Sequence, residues 1–227
     1  QAGVRLLTFP DCALTGYPPH ELASASLADF TQVASCLDAL DMLAKERQMY
    51  LVVGAITRED GLIYNSAVVF APQMERQVYH KRALWGWDRD QFQPGNAGGV
   101  FTVDGFKIGV RICYEIRFPE YFRELYRQNT DLNIVLFYDR SSREDCSRYD
   151  LIKAHVRTRA VENVCHTLSV NTAGPYQTAP TALFDRSGNA LMELERGKPG
   201  LLVCDLNPSE LDFGERGRKE ISDALIE

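Results

Sequence analysis

Residues 100–126, VFTVDGFKIGVRICYEIRFPEYFRELY, constrain the fold more than any other stretch. Asp104-Gly105 is a strong two-residue turn signal and predicts a hairpin. Phe106, Ile108, Val110 and Ile112 alternate along the second arm and share one strand face. That strand runs into Cys113, and Pro119 then opens a helix, because proline fits the first helical turn. Tyr121, Phe122, Leu125 and Tyr126 give this helix an apolar side. A hairpin that passes directly into a helix points to an α/β layered domain with a mixed sheet.

The rest of the chain fits that class. Val4 to Phe9 reads as a buried strand and GYPPH (16–20) as a loop. Leu27 to Gln48 reads as a helix, with Phe30, Val33, Ala34, Leu37, Leu40 and Leu43 at helical spacing. Tyr50 to Ile56 and Tyr64 to Phe70 form a hairpin around an acidic, glycine-containing turn. Residues 85–99 read as loop, Leu132 to Tyr138 as a strand, and 148–164 as a helix. Thr167 to Val170 is a strand, Thr181 to Glu193 a hairpin, and Leu201 to Leu206 the expected last strand, followed by a charged, peripheral tail. No linker or internal repeat divides the 227 residues, so one domain over 1–227 is expected.

Composition narrows the function classes. Net charge is −6 and no basic block stands out, which argues against nucleic acid or an anionic membrane as partner. No apolar run approaches the length of a membrane span. The chain begins without Met and without a signal-peptide pattern. The cysteines (12, 36, 113, 146, 165, 204) show no C-x-x-C spacing, and the histidines (20, 80, 155, 166) do not complete a zinc pattern. Reduced thiols in a cytoplasmic protein are the expectation.

Cys113 ends a strand at the sheet edge, where open α/β folds bind ligands, and the N–H that follows it can face a developing oxyanion. A buried structural thiol is the competing reading, since free cysteine is among the most buried residue types. Two other segments bear on the choice. FPDCALTGYPPHEL (9–22) places a carboxylate after a strand, and YHKRALW (79–85) places a lysine after a strand. Carboxylate, lysine and cysteine thus follow one another along the chain, each at a strand end. With YNSAVVF (64–70), QFQPGN (91–96), RTRAVENVCHTLSVNTAG (157–174) and LFDRSGNALME (183–193), these motifs resemble the nitrilase superfamily of carbon–nitrogen hydrolases over most of the chain.

The resemblance implies a four-layer αββα sandwich with two mixed β-sheets. It implies Cys113 as nucleophile through a thioester, Asp11 as general base and Lys81 as oxyanion stabiliser helped by the Tyr114 N–H. Asp88 falls where the family has a second glutamate. It implies an amidohydrolase of small linear amides, since Tyr114 stands where nitrilases of the family carry Trp; nitrile or N-carbamoyl hydrolysis is the nearby variant. No metal or organic cofactor is implied. A homodimer or larger homo-oligomer is implied, with 119–128 and 148–164 as candidate interface helices. Tyr17 is a pocket-lining candidate, and Trp85 and Trp87 either shape the pocket or cap the core. Arg140 is a candidate for a substrate carboxylate, set against an ordinary solvated loop arginine. Glu115 and Arg117 read as support for the nucleophile motif, and Arg157, Glu162 and Asn163 as scaffold and dimer support.

Three departures stand out. Asp replaces Glu at 11 and 88, and each loses roughly 1.5 Å of reach. The chain starts just before FPD, whereas the family has another strand and helix first; a true deletion would expose a sheet edge. The segment 136–150 lacks the family's small-polar-aromatic pattern. An impaired site on a retained fold, giving a binding or scaffold protein, is therefore the alternative to an enzyme.

Overall fold

The computed structural model describes residues 3–207 and 209–226. One sheet has the order β1-β2-β3-β4: β1 (Leu6–Thr8), β2 (Tyr50–Glu59), β3 (Leu62–Phe70) and β4 (Gln77–His80). β1 pairs parallel to β2, and the other pairs are antiparallel. The second sheet has the order β10-β9-β8-β7-β6-β5. Its strands are β5 (Val100–Val103), β6 (Phe106–Ile112), β7 (Leu132–Phe137), β8 (His166–Asn171), β9 (Ala182–Phe184) and β10 (Ala190–Glu193). The β6, β7 and β8 centre is parallel and the flanking pairs are antiparallel, so both sheets are mixed as expected.

Alternation of side chains sorts residues into layers. Val52, Ala67, Val69 and Tyr79 of the first sheet meet Val103, Ile108, Val110, Ile112, Ile134 and Leu136 of the second. The other face of the first sheet, with Leu51, Val53, Val68 and Phe70, packs on Leu37 and Ala44 of helix α1 (Phe30–Arg47). The other face of the second sheet carries α3 (Pro119–Arg127) and α4 (Cys146–Glu162) through Phe122, Leu125, Ile152, Val156 and Ala160. The result is the four-layer αββα sandwich. Gly109 on β6 lets α3 sit close, because a Cβ there would stand 2.7 Å from a methyl carbon of Leu125.

Helix ends follow local chemistry. Asp29 caps α1 by accepting from the N–H groups of Thr31 and Gln32, so the helix starts after Leu27, which lies in a short 3₁₀ turn (Ala25–Leu27). Gln48 closes α1 in the left-handed conformation. Asp145 caps α4.

Two expectations are corrected, and the tail gains a structure not read from the sequence. Residues 201–206 form no strand: they find no ladder partner among the described residues, and Leu201 is 80% exposed. Alternating apolar residues make a strand only where a neighbouring strand accepts their hydrogen bonds. The charged tail is a helix, α5 (Phe213–Ala224), opened by a capping box between Asp212 and Glu215 and tied to α3 by Tyr126 Oη donating to Asp223 Oδ1 at 2.6 Å. The 85–99 loop contains one helical turn, α2 (Asp88–Gln91).

Candidate active site

The turn after β1 positions Asp11. Phe9 N–H donates to Val52 O, and the chain then folds over Gly54 of β2. A Cβ at Gly54 would lie 2.2 Å from Pro10 O and 2.7 Å from Asp11 Cα, so only glycine permits this approach. Gly54→Ala is expected to displace Asp11 by several tenths of an ångström or more. Turnover should fall by about a hundredfold, since a misplacement of about 1 Å costs that much. Amide-hydrolysis kinetics on the purified variant check this.

Lys81 follows β4. Its N–H donates to Asn65 O at 2.8 Å and its own carbonyl accepts from Gly95 N–H at 2.9 Å, fixing the backbone on both sides. Nζ lies 2.6 Å from Asp88 Oδ2, and both side chains are fully buried. Tyr17 Oη donates to Asp88 Oδ1 at 2.6 Å, and Trp85 N–H donates to Oδ2 at 3.3 Å. Asp88 is thereby committed to holding Lys81. Burial would push the Lys81 ammonium down, but Asp88, Cys113 and Asp11 outweigh it, so the group stays charged.

Cys113 begins a 3₁₀ turn (Cys113–Arg117) at the end of β6 with φ +47°, a left-handed conformation rare for a residue with a Cβ. Strain of this kind clusters at functional sites. Burial pushes its thiol pKa up, Lys81 pulls it down, and Asp139, Asp11 and Asp88 push it up again. The thiol therefore needs a base in place to lose its proton. Burial likewise raises Asp11 to about 6, against the pull of Lys81 and with the push of Asp88. Both Asp11 carboxylate oxygens are buried without a hydrogen-bond partner.

Glu115 ties the two sheets together. Its Oε1 accepts from Tyr79 Oη and Arg82 N–H, each at 2.7 Å, and its Oε2 accepts from Ile112 N–H at 2.7 Å. The carboxylate thus joins the residue after Lys81 to the residue before Cys113, as support for the nucleophile motif requires.

Aromatic side chains surround this centre. Tyr17 stacks on Tyr138 with centroids 4.9 Å apart, and Tyr114 lies 5.4 Å from Trp85. Trp85 and Trp87 are partly exposed, and the Trp87 ring meets His20 edge-on. Arg140 lies outside the buried cluster. It sits beside the Tyr138 hydroxyl, near Glu21, and rests its guanidinium over Gly174. His80 is engaged by Ser66 and Glu59, and Cys165 is buried; neither His80 nor the adjacent His166 joins the centre. Among the described residues no group of three or more His, Cys, Asp or Glu is arranged to hold a metal ion, and no helix is long and apolar enough to cross a membrane.

Two neighbours of the centre escaped the motif reading. Asp139, 5% exposed, bears on Cys113 and is held by Thr178 Oγ1 at 2.5 Å and Arg148 Nη2 at 2.9 Å. No signal in the sequence marks it, because its partners come from distant segments. Asn65 is fully buried beside Asp11; it lies in the family-like segment 64–70, but nothing there marked it as a neighbour of the acid.

The family model for carbon–nitrogen hydrolases matches residues 1–213. Over 172 residues the chain is 28% identical to an (R)-stereoselective amidase of Pseudomonas sp., covering 74% of this chain and 59% of that protein. It is 28% identical over 232 residues to a deaminated glutathione amidase of Synechocystis sp., covering 92% of this chain and 82% of that one. Among solved structures, a variant of the amidase from Nesterenkonia sp. AN1 superposes with a TM-score of 0.81 at 23% identity, covering 99% of this chain and 83% of that one. The fold, the match over nearly the whole chain and the order of carboxylate, lysine and cysteine agree: this chain belongs to the carbon–nitrogen hydrolase family.

Proposed function

We propose that the chain is a thiol-dependent amidohydrolase of small linear amides. The observation that carries the reading is a buried lysine held by one carboxylate, beside a second buried carboxylate with no partner, around a cysteine in left-handed backbone. Ionised Asp11 takes the Cys113 proton and the thiolate attacks the amide carbon. Lys81 and the Tyr114 N–H face the negative oxygen that forms, where a fixed charge in a dry site has most effect. Asp11 returns its proton to the departing amine, leaving a thioester. It then accepts a proton from the water that cleaves the thioester, and Cys113 is regenerated. Asp88 holds Lys81 in place. The amidase names of the relatives support this reading, as does the Nesterenkonia structure, in which the acetamide moiety of fluoroacetamide is covalently added at the active-site cysteine.

Arg140 has no carboxylate partner among the described residues, and it adjoins the tyrosine stacked on Tyr17. We assign it to a carboxylate on the far end of the substrate. The test is ammonia release from plain aliphatic amides, monoamides of dicarboxylic acids and carbamoyl amino acids. The monoamides should be preferred. The rate should rise as pH passes upward through about 6, because Asp11 acts as a base only when ionised. No turnover on any member, or a flat profile between pH 5 and 7, would sink the reading.

A further inference from the structure

Asn65 lies on β3 opposite Ile56, and alternation places its side chain on the same face as Ala67 and Val69, between the sheets. It is fully buried. Neither its Nδ2 nor its Oδ1 completes a hydrogen bond of normal geometry, and the same holds for both carboxylate oxygens of Asp11, although the Asn65 amide and the Cys12 thiol lie close enough to pull the Asp11 pKa down. Four uncommitted polar atoms meet in one dry place, where such atoms are normally paired.

The other groups facing Asp11 are committed. Lys81 Nζ, at the end of β4, is held by Asp88 of α2. Tyr17, just beyond the turn that holds Asp11, donates to Asp88. Cys12 is a weak donor whose thiol burial keeps protonated. Cys113 supplies the proton that Asp11 must take. Among the groups beside Asp11, the Asn65 amide brings both a strong donor and a strong acceptor. The backbone carbonyl of Asn65 meanwhile holds the Lys81 N–H at 2.8 Å, so one residue touches both base and oxyanion stabiliser.

We propose that Asn65 is the positioning residue of the base: its Nδ2 donates to Asp11 when the carboxylate is ionised, and its Oδ1 accepts when Asp11 carries the thiol proton. This rests on the reading of Asp11 as the base. A single side chain then serves both protonation states, and its loss should make the ionised state harder to reach.

The test reads Cys113 directly and needs no substrate. Iodoacetamide alkylation of the intact protein is followed from pH 4.5 to 8.5, with peptide mass mapping to separate Cys113 from the other cysteines. In the wild type the rate should climb through a limb set by Asp11. In Asn65→Leu that limb should move up by about one pH unit, slowing alkylation about fivefold near pH 6 and about tenfold near pH 5. The rates should converge at pH 8.5. Asn65→Ser, which supplies a hydroxyl in place of the amide, should return part of the shift. With an amide substrate, kcat should fall while KM holds, since Asn65 does not touch substrate. Should Asn65→Leu fail to fold, Asn65→Ala carries the same expectation. A limb that stays in place in every folded Asn65 variant overturns the proposal. The Asp11→Asn protein separates the two readings: a limb that survives there is not Asp11's, and the base assignment falls together with the task given to Asn65.

Discussion

Cys113→Ala is expected to lower ammonia release on the order of 10⁴-fold or more while leaving the thermal midpoint within a few degrees of the wild type. Losses of that size follow removal of a nucleophile when the steps of a reaction all pass through it. Lys81, Asp88 and Tyr17 keep their mutual contacts in this variant, so the pocket should still bind the amide. Mass spectrometry of acid-quenched turnover supplies the second readout. The wild-type protein should carry an acyl adduct on the peptide containing Cys113, and the alanine variant none. A variant that still releases ammonia at a tenth of the wild-type rate would remove the cysteine from the reaction.

Glu115→Ala is expected to have the largest effect on stability. It leaves the N–H groups of Ile112 and Arg82 and the Tyr79 hydroxyl without their acceptor, in a region closed to water. Stranding several buried donors should cost about 3–5 kcal/mol. For a chain of this size that is a fall in thermal midpoint of about 6–20 °C. Glu115→Gln should cost less, because its carbonyl oxygen still serves one side of the junction. Urea and thermal unfolding of the two variants check both the size and the order. Equal stability of Glu115→Ala and wild type would show that the clamp is redundant.

What could be read beforehand divides along physical lines. The hairpin at Asp104-Gly105, the face shared by Phe106, Ile108, Val110 and Ile112, and the helix opened by Pro119 all express local rules, and the structure has them. The cysteine, the lysine and the two acids were visible as motifs, and the structure gathers them. The burial of Asp11, the company of Asn65 and the approach of Asp139 depend on segments distant in the chain and left almost no local mark. Leu201 to Leu206 misled because alternation says which residues suit a ladder, not whether a neighbour exists. The tail was left without a structure, because its charges hide the Asp212 and Glu215 pair that starts α5.

The junction at Glu115 also bears on timing. Asp11 and Lys81 hang from one sheet and Cys113 from the other, so the arrangement proposed as reactive comes into being only when the two sheets dock. A chain still leaving the ribosome, or one loosened by heat, presents Cys113 as an ordinary thiol. Alkylation of that one cysteine in preference to the other five near pH 6 is therefore the expected signature of completed assembly.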